Sequence, residues 1–167
     1  QQAYMQGNFF PYNDIDKHCD LVEYKDTQLK KPLYLIPNPS YYFGMYMEAS
    51  FIQPTGGMVD AKESNTKSPM VYEFNGDDDL WIFIDDVMVL DLGGVHFNCS
   101  GSINFANGEI KVNGQDDGKI SSKFQKAGIL PNGEVWDESK KGDFFTASGT
   151  FADFTGHTLK MFYMERG

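Results

Sequence analysis

Three consecutive aspartates, Asp77, Asp78 and Asp79, stand directly before a wholly apolar run, Leu80–Ile84. From residue 68 to residue 110 the sequence contains eight Asp or Glu residues and no Lys or Arg. Carboxylates this close together repel one another unless water or a cation lies among them. Because hard divalent cations prefer oxygen ligands, the pattern predicts a divalent-metal site that begins at the aspartate triplet.

The apolar run turns at Asp85-Asp86 and returns as Val87–Leu92, which predicts a β-hairpin. A two-residue turn pairs Ile84 with Val87. Counting outward from that pair predicts three further oppositions: Leu80 with Asp91, Asp78 with Gly93, and Asp77 with Gly94. This register places the triplet beside the loop of residues 93–98 and places the turn at the other end of the sheet.

The hairpin is expected to be central and buried, with Trp81 and Phe83 in the core, because Leu80–Ile84 is apolar on both faces. Asp91 then shares a face with Leu80 and is expected to accept a structural hydrogen bond. Asp79 is expected to accept hydrogen bonds from loop amides.

Successive side chains of a strand point to opposite faces, so Asp77 and Asp78 reach one ion only across an unusual peptide. A cis peptide between them is one solution. Calcium prefers oxygen ligands, so His96 is expected to serve mainly as a hydrogen-bonding loop residue, with a ligand contact as the alternative.

The composition favours an all-β fold with long loops. The 167 residues suffice for one domain, spanning residues 1–167, that buries roughly two-thirds of its unfolded surface. The 14 Phe, 9 Tyr and 17 Gly indicate strands joined by turns, and we predict a β-sandwich or distorted barrel. Besides the hairpin, the predicted strands are Leu33–Ile36, Tyr42–Ile52, Met70–Phe74, Ser102–Phe105, Glu109–Val112, Phe144–Phe151 and Thr158–Glu165.

Two segments are predicted as loops, Gln53–Pro69 and residues 113–142, the second with a short helix near Ser121–Ala127. The dipeptide Asn107-Gly108 predicts a hairpin turn with positive φ at both positions.

The net charge of −10 argues against binding to nucleic acid or to an anionic membrane. No apolar run approaches the roughly 18 residues of a membrane-spanning helix, and no signal peptide is visible. Cys19 and Cys99 either form a disulfide, which requires an extracellular setting, or are two independent buried thiols.

Two stretches resemble the signature of the fibro-slime domain: residues 76–85, GDDDLWIFID, and residues 89–96, VLDLGGVH. The fibro-slime family is a relative of the PA14 fold and occurs in bacterial cell-surface proteins and secreted slime-mould factors. The likeness extends to Tyr42–Phe51, Ser102–Val112 and His157–Gly167. The resemblance implies a PA14-like β-sandwich excised from a larger surface protein.

In the adhesin branch of PA14 domains, two adjacent aspartates joined by a cis peptide hold Ca²⁺, and the ion coordinates vicinal hydroxyls of a sugar. Aligned on the apolar strand, this pair falls on Asp77 and Asp78. The resemblance implies that a neighbouring loop completes the metal shell. Here that loop is the stretch of residues 93–98, with Asn98 as the side-chain donor and close backbone approach at Gly93 or Gly94.

Sugar contacts are expected from the same loop, at His96 and at the aromatic Phe97, with Trp136 as an alternative stacking residue. The hairpin turn of this chain, Asp85-Asp86, departs from the Asp-Gly that is frequent in the family. Related domains also usually run one strand further than this sequence.

No enzyme is expected. Adjacent aspartates on one strand do not straddle a glycosidic bond, and the sequence lacks the nucleophile-elbow, zinc-protease and phosphate-loop motifs. The sequence therefore predicts an extracellular, cell-surface, calcium-dependent carbohydrate-binding module that is monomeric and does not enter the membrane. The alternative is a structural or protein-interaction module of a surface stalk in which Ca²⁺ serves stability only.

Overall fold

A computed structural model describes residues 22–25, 32–35, 42–61 and 66–166, and these form twelve strands and two α-helices. The predicted all-β class is confirmed. The elements are β1 Val22–Lys25, β2 Pro32–Leu35, β3 Tyr42–Ile52, β4 Met58–Asp60, β5 Lys67–Pro69, β6 Val71–Gly76, β7 Asp79–Ile84, β8 Val87–Asp91, β9 Cys99–Asn104, β10 Glu109–Val112, β11 Gln115–Lys119, α1 Ile120–Ala127, α2 Lys141–Phe144 and β12 Gly156–Arg166.

The chain divides into two compact units. The first contains the antiparallel hairpin β1–β2, in which Val22 pairs with Leu35 and Lys25 pairs with Pro32. The second comprises residues 45–164 and contains the aspartate triplet, the neighbouring loops and both larger sheets.

The second unit is built on two four-stranded sheets. The first sheet has the order β3-β12-β7-β8, and the second has the order β11-β10-β9-β6. Their inner faces share one core, since a Cβ on Gly101 of β9 would lie 2.8 Å from side-chain atoms of Leu90 and Leu92. The fully buried side chains of this core include Leu80, Ile82, Ile84, Leu90, Ile103, Ile110, Ile120, Phe124 and Phe151.

The hairpin β7–β8 forms with Asp85 and Asp86 in its turn, and Ile84 pairs with Val87 as predicted. Both turn residues have positive φ, 47° and 66°, as a two-residue hairpin turn requires. Beyond Phe83, however, the register shifts at a β-bulge, so that Trp81 rather than Leu80 lies opposite Asp91. The predicted oppositions at the far end were therefore wrong by one residue, because β8 carries one extra residue there.

The regular alternation of β7 sets the environment of its two aromatic side chains. Leu80, Ile82 and Ile84 fill the core, whereas Trp81 and Phe83 are half-buried on the opposite face. The prediction that these two rings lie in the core was wrong. Asp91 is exposed and lies across from Trp81, so its predicted shared face with Leu80 was also wrong. Strand β7 is internal in its sheet, while β8 is the last of its described strands.

Strand β9 pairs with both β6 and β10 in the second sheet. The β6–β9 register runs without a shift from Val71 opposite Asn104 to Gly76 opposite Cys99. The loop from β9 to β10 is longer than a two-residue turn. Gly108 has a positive φ of 73° and Asn107 does not, so the predicted turn conformation was wrong at Asn107.

The segments predicted as loops contain regular structure. Residues 53–69 include the hairpin β4–β5, and the predicted helix near Ser121 is confirmed as α1. Ile120 and Phe124, four residues apart, turn one side of α1 into the core, and Gly128 at φ 75° ends the helix. The predicted strand Phe144–Phe151 was wrong, because only an isolated bridge joins Phe145 to Phe151 there.

Candidate functional site

Two connections cross between the sheets at the same end of the second unit. The first is the pair Asp77 and Asp78, which carries the chain from β6 of the second sheet into β7 of the first. The second is the stretch of residues 92–98, which carries it back from β8 into β9. We refer to residues 77–79 together with residues 92–98 as the acidic end.

Strand pairing brings Asp77 next to Asn98. The pairing of β6 with β9 ends where Gly76 lies opposite Cys99. Asp77 directly follows Gly76 in the sequence, and Asn98 directly precedes Cys99. Both side chains are exposed. The structure therefore brings together two of the predicted metal ligands, through the β6–β9 register of the second sheet.

Asp78 is half-buried and lies beside an aromatic pair at the same end. Its Oδ2 accepts a hydrogen bond of 2.8 Å from the hydroxyl of Tyr163, whose ring is packed 6.2 Å from that of Phe74. The described residues contain no cis peptide bond, so the peptide between Asp77 and Asp78 is trans. The expected cis peptide was wrong for this structure. Both residues lie between β6 and β7, so the alternation of side chains along a strand does not constrain them.

The loop of residues 92–98 is tied to β7 through its two glycines. The backbone N–H of Gly94 donates to Oδ1 of Asp79 at 2.8 Å, which confirms that Asp79 binds loop amides. The N–H of Gly93 donates to Oδ1 of Asp91 at 2.9 Å, as expected of a structural acceptor. A Cβ on Gly93 would lie 2.5 Å from the indole of Trp81, so only glycine fits against this ring.

His96 holds the same loop from within. Its Nδ1 lies 2.7 Å from the carbonyl oxygen of Phe97, and its Nε2 lies 2.8 Å from that of Leu92. Carbonyl oxygens only accept, so a ring nitrogen that carries a hydrogen donates to its carbonyl partner. This geometry agrees with the expected loop-bracing role for His96.

Two large apolar side chains project from the acidic end into solvent. Val95 is 100% exposed and Phe97 is 94% exposed. A hydrophobic contact within the fold does not explain them, and an exposed aromatic ring beside polar groups is typical of a ligand-contact position.

The chemistry of the donor set fits a hard cation. Asp77, Asp78 and Asn98 offer carboxylate and amide oxygens, and residues 92–98 add backbone carbonyls, which are the ligand types that Ca²⁺ uses. A carboxylate has several acceptor positions, so the bond from Tyr163 to Asp78 is compatible with metal ligation. In the described part of the chain, no group of three or more His, Cys, Asp or Glu is arranged to hold a metal ion. A cation held here would need amide and backbone oxygens as well as carboxylates.

The opposite end of β7 carries a buried polar network that the sequence reasoning missed. Nδ1 of His157 lies 2.6 Å from Oδ2 of Asp85, and Nε2 lies 2.7 Å from Oγ1 of Thr155. The Thr155 hydroxyl donates to the carbonyl of Ala152 at 2.6 Å, so its oxygen is available to accept from Nε2 of His157. His157 is 4% exposed and stacks on Phe151 with 3.6 Å between ring centroids.

This network joins the β7–β8 turn to the start of β12. Thr158 donates its N–H to Asp85 Oδ1 at 2.8 Å, and the Asp85 N–H returns a bond of 3.0 Å to the Thr158 carbonyl. The neighbouring Asp86 accepts a bond from Lys160, which raises the pKa of Lys160. The turn is thus confirmed, and Asp85 has a structural role beyond it.

The alternative stacking residue and one of the cysteines lie elsewhere in the second unit. Trp136 packs 6.1 Å from Phe145 and donates its Nε1–H to Glu138 at 3.1 Å, so its ring is occupied within its own loop. Cys99 is a buried free thiol, and Cys19 lies outside the described residues. Neither α-helix of the described residues is long and apolar enough to cross a lipid bilayer.

Comparison with known proteins gives relatives from Dictyostelium discoideum. The chain is similar to the protein psiF of Dictyostelium discoideum, with 35% identity over 121 residues that cover 72% of this chain and 15% of psiF. The protein psiJ of the same organism is 32% identical over 104 residues, covering 60% of this chain and 12% of psiJ. In psiR, also from D. discoideum, a segment of 42 residues is 48% identical, covering 25% of this chain and 4% of psiR.

The chain therefore spans 15% or less of the length of these three relatives. No family model matches the sequence, and no solved structure matches it.

Proposed function

We propose that this chain is an extracellular, calcium-dependent carbohydrate-binding module of a larger cell-surface protein. The observation that carries the proposal is the meeting of Asp77, Asp78 and the loop of residues 92–98 at one end of the sandwich, with Phe97 exposed beside them. The resemblance to fibro-slime and PA14-like domains assigns this position to a metal and a sugar.

In this proposal Asp77, Asp78 and Asn98 hold the ion together with backbone oxygens of the loop. Bound Ca²⁺ supplies a positive centre that orders two adjacent sugar hydroxyls. Asp79 and His96 keep the loop in place through the bonds to Gly94, Leu92 and Phe97. The Phe97 ring offers its face to the apolar side of a sugar ring.

The test is a calcium titration by calorimetry on the wild type and on Asp78→Asn. Asparagine keeps the shape of the side chain and removes its charge, so we expect calcium affinity to fall at least about tenfold. Asp86→Asn is the matched control, since it removes the same charge from the opposite end of the hairpin. No heat of binding at millimolar Ca²⁺ in the wild type would refute the proposal.

The second candidate is a structural module in which Ca²⁺ serves stability only. It is supported by the position of the acidic end, where an ion would join two cross-sheet connections. A glycan screen with and without chelator separates the two candidates. Thermal stabilisation by Ca²⁺ without binding to any glycan favours the structural module.

A further inference from the structure

The outer face of the second sheet carries a polar groove that leads to the acidic end. A cavity of about 410 Å³ lies on this face, and its lining includes Glu73, Asn75, Ser100, Ser102 and Lys111. The intervening residues Gly101 and Ile103 are buried in the core. Since strand residues alternate between faces, the polar side chains form a continuous outer surface.

Strand register arranges these side chains in rows across β6, β9 and β10. One row is Glu73, Ser102 and Lys111, because Ser102 pairs with both of the others. The next row is Asn75, Ser100 and Asn113: Asn75 pairs with Ser100, and Asn113 exchanges hydrogen bonds of 2.8 Å and 2.9 Å with it.

The β6–β9 pairing ends at Gly76 opposite Cys99, and the next residues beyond it, Asp77 and Asn98, are two of the candidate metal ligands. Outward side chains are two residues apart along a strand, so the distance from Glu73 to Asp77 is about 13 Å. The stretch from the row of Glu73 to the acidic end is therefore longer than one pyranose ring.

We propose that this groove binds the further units of a neutral oligosaccharide whose first unit occupies the acidic end. The inference rests on the proposed function and adds the class of ligand, which is a linear chain of uncharged sugars. Amide, hydroxyl, carboxylate and ammonium groups alternate along the rows and match the mixed donors and acceptors of sugar hydroxyls.

The charges of the groove support a neutral ligand. Lys111 is 3.1 Å from Glu109 and shares its row with Glu73, so its single positive charge is balanced within the face. A polyanionic glycan would require a surplus of cations. A bound peptide would require several apolar pockets for its side chains, and Phe74 is the one apolar side chain among the described residues that line the cavity.

The experiment measures affinity against chain length. Calorimetry in Ca²⁺ and in EDTA would use manno-, cello- and malto-oligosaccharides of one to six units. We expect one series to bind about tenfold more tightly as the trisaccharide than as the monosaccharide, from one or two added hydrogen bonds.

Ser102→Tyr places a large ring on the central strand of the groove, in the row where the third sugar unit would lie, and tyrosine suits a strand. This substitution should abolish the increase in affinity with chain length and leave the affinity for the monosaccharide unchanged. Ser50→Tyr is the matched control, an exposed strand serine of the other sheet, and should keep both affinities.

The outcomes separate this inference from the proposed function. If the monosaccharide binds in a calcium-dependent way and longer chains bind no more tightly, binding in the groove is refuted and the proposed metal site is supported. Length-dependent binding in EDTA that Ser102→Tyr abolishes supports the groove and refutes the role of calcium. Absence of all saccharide binding, or binding of a peptide library that Ser102→Tyr abolishes, overturns the inference.

Discussion

Oδ1 of Asp79 lies 2.8 Å from the backbone nitrogen of Gly94, fifteen residues further along the chain. Asp79 begins β7 and Gly94 lies in the loop after β8, so this one bond fastens the loop of the acidic end to a strand of the core. It holds the loop that carries the exposed ring of Phe97 without using Asp77 or Asp78. The third residue of the triplet thus positions the loop, whereas the first two are the proposed ligands of the ion.

Removal of this bond should loosen the acidic end. Asp79→Ala deletes a hydrogen bond to a charged acceptor, and we expect the free energy of unfolding to fall by about 1.5–3 kcal/mol. Urea denaturation measures the change, and hydrogen exchange should become faster in residues 93–98. Asp91→Ala, which deletes the acceptor of the exposed Gly93 bond, is the control and should cost less than about 1 kcal/mol. Equal losses in both variants would contradict the special role of Asp79.

Gly93 should tolerate no side chain while Trp81 is present. A Cβ at Gly93 would lie 2.5 Å from the indole, so Gly93→Ala is expected to cost about 1–3 kcal/mol of stability through overpacking. In a Trp81→Leu background the same substitution should cost much less, because the clashing ring is gone. Gly142→Ala is the control, since nothing lies within 4 Å of that position and its stability should not fall. An equal cost of Gly93→Ala in both backgrounds would refute the contact.

Phe97 should contribute to binding without contributing to stability. Its side chain is 94% exposed, so Phe97→Ala should change the free energy of unfolding by less than about 0.5 kcal/mol. Loss of a stacking ring should weaken the affinity for a bound glycan by about tenfold. Paired measurements by urea denaturation and calorimetry test this separation. A large loss of stability with unchanged glycan affinity would assign Phe97 to the fold instead.

Asp85, at the opposite end of β7, should contribute to stability without contributing to binding. Asp85→Asn replaces the carboxylate that is hydrogen-bonded to the buried ring of His157 with a neutral amide, and loss of a hydrogen bond to a charged group costs about 1.5–3 kcal/mol. Asparagine tolerates the positive φ of this turn, so the backbone is not the cause of the loss. The adjacent Asp86→Asn removes an exposed pair with Lys160 and should cost less than about 1 kcal/mol. Similar costs at Asp85 and Asp86, measured in urea, would refute the importance of the buried pair.

Calcium should stabilise the folded chain only through the acidic end. A ligand at a hundred times its dissociation constant adds about 2.7 kcal/mol to the free energy of unfolding. We therefore expect the melting temperature to fall when EDTA replaces Ca²⁺, and this difference should vanish in Asp77→Asn. The Asp86→Asn variant should keep it. Persistence of the calcium effect in Asp77→Asn would place the ion elsewhere.

Local pattern was sufficient to predict the elements around the acidic end. The run Leu80–Ile84 and the dipeptide Asp85-Asp86 predict a strand and a hairpin turn, and the bounds of β3 at Tyr42 and Ile52 follow from residue alternation. The role of Asp79 as an acceptor for loop amides could be predicted as well. These features depend on neighbouring residues, whose periodicity and turn preference act over short distances.

The β-bulge in β8 could not be predicted, because Val89 and Leu90 are both apolar and suit either register. Only the packing of both side chains into the core selects the two consecutive inward positions. That single extra residue moves Asp91 from the position opposite Leu80 to the position opposite Trp81, on the outer face. The network of Asp85 with His157 was missed for a related reason, since 72 residues separate the partners.

The sequence by itself determined an acidic, β-rich chain with an aspartate triplet at the start of a buried strand. These features follow from composition and from the alternation of neighbouring residues, which a short stretch of sequence contains. Only the tertiary structure decided what lies beside the triplet. The pairing of β6 with β9 brings Asn98 near Asp77. The bulge in β8 brings the N–H of Gly94 within hydrogen-bonding distance of Asp79. Both depend on how two sheets share one core, which is a balance of packing over the whole domain that no short stretch of sequence contains.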